Sequence, residues 1–159
     1  MRLIYFSSEI IINLQEPKWD FRSISMARKV LNICNLKHYG LSIILSNDKR
    51  VSFLNYKWKG KKKPTNVLSF PNHDSLNEKP YDNRHLGDIF LGYETLKREA
   101  ALGNLLFVNH LSHLLIHGIL HLKGYSHYNK INEKTMQKEE VRLLKILNVD
   151  NPYKTNRFV

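Results

Sequence analysis

An α+β fold, a small mixed β-sheet packed with helices in a single domain, is predicted by three observations. Segments with strand character are mixed with segments of helical periodicity, but too few βα alternations occur for a doubly wound sheet. The 159 residues contain no internal repeat, low-complexity tract or Gly/Ser linker, and a chain of this length buries about two-thirds of its unfolded surface without staples. A lone cysteine, Cys34, excludes an internal disulfide framework and a Cys-rich zinc module.

The elements follow in order. Residues 3–14 are dense in β-branched and aromatic side chains and read as a strand. From 20 to 34, Phe21, Ile24, Ala27, Leu31 and Cys34 recur at helical spacing. Gly40 precedes a second strand at 41–45, and Asn47 or Asp48 can cap a short helix through Tyr56, with Val51 and Leu54 facing inward. Beyond it, 57–64 reads as a basic loop and 67–70 as a short strand ended by Pro71. The polar stretch 72–86, with Pro80 inside it, is a loop of a length that usually carries function or mobility. A fourth strand at 87–92 leads to a helix at 94–102 that stops at Gly103. A further helix at 104–122 follows, with Gly124 placed as its stop. The last helix, 133–148, aligns Met136, Glu140, Leu143, Leu144 and Leu147.

Twenty-five Lys and Arg against 14 Asp and Glu give a net charge of +11 with histidine neutral. So large a field on a small chain attracts a polyanion, either nucleic acid or an anionic membrane surface. No apolar run approaches the roughly 20 residues of a membrane span, and the first residues lack an apolar region followed by a small-residue cleavage site. With the cysteine content, the expectation is a cytoplasmic protein with no membrane partner.

Five of the eight histidines, His110, His113, His117, His121 and His127, fall within eighteen residues. Side chains four apart lie about 5–6 Å from each other on one helix face, so His117 and His121 can direct ring nitrogens at one metal ion. His113 continues the stripe but stands about 12 Å along the axis from His121, too far to share an ion held at about 2.0–2.1 Å per bond. Gly124 lets the chain turn back and leaves His127 as the third ligand. Three neutral imidazoles keep a fourth tetrahedral position open for water or substrate, the arrangement of a catalytic rather than a structural zinc. The spacing is that of the metzincin motif H-E-x-x-H-x-x-G-x-x-H, but position 118 is Gly where those peptidases carry a Glu base. Without that carboxylate peptide hydrolysis is disfavoured. His110 and His113 line the helix or support the ligands from behind.

With these residues the sequence resembles the YbeY family of bacterial endoribonucleases. The family's H-G-x-L-H-L-x-G-Y-D-H is matched at His117, Gly118, Leu120, His121, Leu122, Gly124, Tyr125 and His127. Its K-P-T-N-V-L-S-F-P is matched at 63–71, its L-G-D-I at 86–89, and its D-P-Y is approximated by Asn151, Pro152 and Tyr153. The resemblance implies a zincin-like α+β fold and one zinc on His117, His121 and His127. It also implies cleavage of single-stranded RNA in small-subunit (16S) ribosomal RNA processing, ribosome maturation and quality control. Implied partners are the small ribosomal subunit, one of its proteins and the GTPase Era. Two positions depart: Lys59 stands where the family usually has Arg, and Ser126 where it has the Asp of G-Y-D-H. Lys is a point charge where Arg would grip phosphate with a fork, and Ser supplies a hydrogen bond without a carboxylate's charge.

Lys57, Trp58, Lys59, Lys61, Lys62 and Lys63 combine phosphate neutralisation with a ring able to stack on an unpaired base. The alternative for the same residues is a solvated charge run beside a core Trp. Thr65, Asn66 and Ser69 can bind RNA or satisfy backbone groups, and Asp88 reads as a local hydrogen-bonding residue. In phosphodiester cleavage, the metal held by His117 and its partners would act as Lewis acid and Lys59 as a cationic clamp. Either activated water or the neighbouring ribose hydroxyl can be the nucleophile. The second reading is a non-catalytic ribosome assembly factor with a structural zinc.

Overall fold

The apolar run at the N-terminus, expected as one strand, is a hairpin. In the computed structural model, which describes residues 1–72 and 84–154, β1 (Arg2–Tyr5) and β2 (Ile10–Leu14) pair antiparallel, with Ile4 opposite Ile12. The Ser7 hydroxyl oxygen accepts from the N–H groups of Glu9 (3.2 Å) and Ile10 (3.1 Å) and closes the turn between them. Uninterrupted β propensity hides such a turn, which only the paired serines mark.

Asp20 caps α1 (Phe21–Ile33) by accepting from Ser23 N–H at 3.1 Å. That helix carries the chain from β2 over to β3 (Tyr39–Ser46), which runs parallel to β2. Asn47, rather than Asp48, caps α2 (Asp48–Lys59). This helix runs three residues past Tyr56, so Lys57, Trp58 and Lys59 are helical and the loop begins only at Gly60. Lysine is a good helix former and is favoured near the negative C-terminal end of the helix dipole, so charge density was no sign of a break. Gly60 is left-handed (φ 70°) and donates to Tyr56 O at 3.0 Å. Val51 is buried as expected, whereas Leu54 is half-buried and Asn55 takes the other buried position.

The edge strand β4 (Val67–Pro71) lies antiparallel to β5 (Arg84–Gly92), which is itself parallel to β3. The sheet order is β1-β2-β3-β5-β4. Of the expected 72–86 loop, residues 73–83 lie outside the described residues, and 84–86 belong to β5. Next, α3 (Tyr93–Leu102) ends at Gly103, but the left-handed residue is Asn104 (φ 52°), so α4 (Phe107–Leu122) starts later than expected. Asn129 caps α5 (Lys130–Ile146) by accepting from Asn132 N–H at 2.9 Å, which starts that helix before Glu133. Ile43, Leu45, Ile89 and Leu91 pack in one core with Ala27, Val30 and Leu31 of α1 and Leu111, Leu115 and Ile119 of α4. The fold is the α+β arrangement expected, a mixed sheet with helices. Among the described residues no single helix is long and apolar enough to cross a membrane; α3 and α4 qualify only as a pair bent by 118°.

Candidate metal centre

Leucine and isoleucine bury one stripe of α4 against the sheet, and the adjoining stripe presents His113, His117 and His121. The helix stops in a two-bond turn: Gly124 N–H donates to His121 O (3.0 Å) and Tyr125 N–H to Leu120 O (3.0 Å). Gly124 sits at φ +103°, a conformation open to glycine and costly for other residues. The turn swings His127 back toward the helix, to ring-centroid distances of 4.8 Å from His121 and 6.0 Å from His117.

The ligand nitrogens of His117, His121 and His127 all lie within 4.8 Å of one another. His117 Nε2 and His121 Nε2 are 3.1 Å apart, against about 3.3 Å for two donors bonded at 2.0–2.1 Å in a tetrahedron. Their other nitrogens face acceptors: His117 Nδ1 lies 2.9 Å from Glu140 Oε1, and His121 Nδ1 lies 3.1 Å from Tyr125 O. Each acceptor draws the ring proton to Nδ1 and leaves the Nε2 lone pair facing the shared space. Burial, reinforced by the neighbouring His117 and His127, pushes His121 down to about 4, so its imidazole is neutral at neutral pH, the state a metal requires. The donor set fits one divalent ion of the zinc type.

Glu140, which helical spacing places only in the inward stripe of α5, reaches the histidine cluster. It is 1% exposed, with Oε2 at 2.7 Å from His113 Nε2 and accepting from Tyr153 Oη at 2.5 Å. Burial raises its carboxyl, but the hydrogen bonds from His113, His117 and Tyr153 outweigh it and hold the group at about 2. Tyr153, of the motif that approximates D-P-Y, is pushed up by burial and by this carboxylate. A glutamate at an otherwise apolar helical position was the available signal. His113 therefore braces Glu140, whose other oxygen holds His117. His110 instead pairs with Glu99 of α3 at 3.2 Å, and Asn66 Nδ2 donates to the same carboxylate at 3.0 Å, so both lock the scaffold.

Gly118, where a peptidase places its base, is closely packed against β4 and β5. A Cβ there would lie 3.1 Å from Ser69 Oγ and 3.2 Å from Ile89 Cγ2, and Ser69 and Ile89 are register partners in β4 and β5. Gly118→Glu is therefore expected to cost about 2–3 kcal/mol through overpacking and to lower Tm by about 5 °C or more, with no peptidase activity gained. Calorimetry checks this; an unchanged Tm would contradict the close approach of β4.

The remaining candidate residues lie on and after α2. Lys57, Trp58 and Lys59 occupy its exposed last turn, and Lys61, Lys62 and Lys63 follow Gly60, also exposed. Trp58 is 64% exposed, so it is not a core residue, and Lys57 Nζ sits 5.3 Å from its ring. Buried Asn55 donates to Lys63 O at 2.8 Å and ties the loop to the helix. From there the chain enters β4, whose Ser69 lies against α4 beside His117. Asp88 meets His85 at 3.2 Å, a local contact. Ser126 accepts from Asn132 Nδ2 at 3.3 Å, and the carboxylate that orients His117 comes from Glu140.

The family model for endoribonuclease YbeY matches residues 10–148. Three proteins named endoribonuclease YbeY are similar over much of their length. That of a Chelativorans species is 44% identical over 113 residues, covering 71% of this chain and 69% of the relative. That of a Jannaschia species is 36% identical, covering 91% and 99%, and that of Ehrlichia chaffeensis 37% identical, covering 91% and 96%. A solution structure of the Thermotoga maritima protein TM1509 shares the fold, with a TM-score of 0.56 at 24% identity over 91% of this chain and 99% of that one.

Proposed function

The chain belongs to the endoribonuclease YbeY family, and from that premise we propose that it is a zinc-dependent endoribonuclease acting on single-stranded RNA in small-subunit ribosomal RNA processing, ribosome maturation and ribosome quality control. The observation that carries the reading is the convergence of three neutral-capable imidazoles within 4.8 Å. A metal there would polarise the phosphoryl oxygens that gain charge during cleavage. The chain's own residues do the rest. Glu140 and Tyr125 O fix the ring orientations of His117 and His121, and the exposed lysines after α2 neutralise backbone phosphates. Lys59 serves as the clamp on the reacting phosphate. The small ribosomal subunit, one of its proteins and the GTPase Era are the proposed partners, and the cytoplasm the proposed site of action.

Single-turnover cleavage of a labelled single strand tests Lys59. A contact that strengthens as charge develops affects rate more than ground-state binding. Lys59→Ala should therefore slow cleavage much more than it weakens binding, while Lys59→Arg, restoring a bidentate grip, should keep or raise the rate. Equal rates for wild type and Lys59→Ala would remove this lysine from the chemistry. Replacing Lys61 and Lys62 together by Ala should flatten the plot of log affinity against log salt, by a slope of about 0.7 per lost phosphate contact. An unchanged slope would place the RNA elsewhere.

A further inference from the structure

Beyond the lysine loop, the N-terminal half of α2 carries features that neither the core nor the metal centre uses. A groove of about 650 Å³ lies between this helix and the sheet, with Lys49, Arg50, Phe53, Gln15 and Phe90 in its wall. Arg50, Phe53 and Lys57 fall at helical spacings of three and four and so share one side of α2, spread over about 10 Å of axis. Phe53 is 63% exposed, an apolar ring held in water among cations. Across residues 47–64 the sole acidic residue is Asp48. Its carboxylate is taken by Thr95, accepting from the backbone N–H at 3.0 Å and from Oγ1 at 2.8 Å. The positive charge of Lys49 and Arg50 thus faces the groove without a local counter-charge on α2. Gln15 accepts from Ser46 Oγ at 3.3 Å, and its N–H donors make no hydrogen bond among the described residues.

We propose that this groove is a second nucleotide subsite, in which an unpaired base of the RNA stacks on Phe53 while Lys49 and Arg50 hold its flanking phosphates. The proposal rests on the ribonuclease reading and extends it in space. Ile89 faces α4 at Gly118, and the next residue, Phe90, lines the groove. Since successive strand residues point to opposite sides, the groove opens on the sheet face away from α4. An RNA that reaches both places passes around the β4 edge and along Lys57–Lys63, so the bound strand is longer than the loop alone would hold. A stacked aromatic and a pair of cations recognise single strands with little sequence preference, because every base has a π-face and every linkage a phosphate.

Length-dependent binding tests it. Fluorescent 2′-O-methyl oligouridylates of about 4 to 12 nucleotides, the range of single-strand site sizes, are titrated into wild type, Phe53→Ala, Phe53→Tyr and the Lys49→Ala/Arg50→Ala pair. All four substitutions are at surface positions of a helix, and circular dichroism confirms the fold. Wild type should gain affinity with length. Phe53→Ala should lose at least about fivefold with the longest oligomer and nothing with the shortest, and Phe53→Tyr should restore the gain. The cation pair should lose the same gain, with a shallower salt dependence. Wild-type affinity that rises with length but is untouched by every substitution would overturn the groove and leave the ribonuclease reading standing. Absence of binding at any length would overturn both.

Discussion

His127→Ala is expected to abolish stoichiometric zinc binding and RNA cleavage while leaving the fold intact. His127 is exposed, on the short segment after α4, so its removal takes away a ligand without opening the core. The proposed site has three protein ligands, so losing one leaves two imidazoles and should weaken zinc binding by on the order of a hundredfold or more. His117→Ala and His121→Ala should act likewise, whereas His110→Ala, which breaks the contact to Glu99 and none to the other histidines among the described residues, should keep its metal. Elemental analysis after dialysis reads the difference directly. One retained zinc per chain in His127→Ala would refute the ligand assignment.

Glu140→Gln is expected to weaken both the metal centre and the fold. The amide nearly matches the carboxylate in shape but carries no charge, so the hydrogen bonds from His113, His117 and Tyr153 lose their charge-assisted strength. Losing an outer partner of a ligating His typically costs about 10–100-fold in metal affinity. The stability effect has a definite pH sign. The folded-state pKa is lowered from 4.5 to about 2, so the carboxylate's contribution, on the order of 3 kcal/mol, is fully present above pH 4.5. It is lost as pH falls through that window toward 2. Urea unfolding of metal-stripped wild type and variant should show the stability gap at pH 6 and a smaller one near pH 3. A gap independent of pH would mean that the charge of Glu140 is not what stabilises the fold.

The three histidines able to hold a metal were legible because they are local. His117 and His121 are one helical turn apart, and Gly124 and His127 follow within the turn that ends α4, so spacing alone placed them. Glu140 was not legible as a partner, since it reaches His117 from α5, 23 residues away, and helical periodicity shows only that its position faces inward. Tyr153 depends in turn on where α5 sits. The hairpin at Ser7 is hidden for a different reason: a turn closed by one side-chain oxygen leaves strand propensity unbroken on both sides. In α2, a dense run of charge has the look of a loop although solvated lysines are compatible with a helix, and the break comes where Gly60 adopts a left-handed conformation. The strand order, with β5 between β3 and β4, rests on contacts across the chain that no local pattern encodes.

The central claim, that the three-histidine site is what makes this chain cleave RNA, is tested most directly by one titration. Metal-stripped wild type is mixed with a labelled single-stranded RNA, and single-turnover cleavage is followed as zinc is added. The rate should be negligible at the start, rise linearly and level off at one equivalent per chain. Full-rate cleavage by the stripped protein, or a rate indifferent to added zinc, would contradict the account.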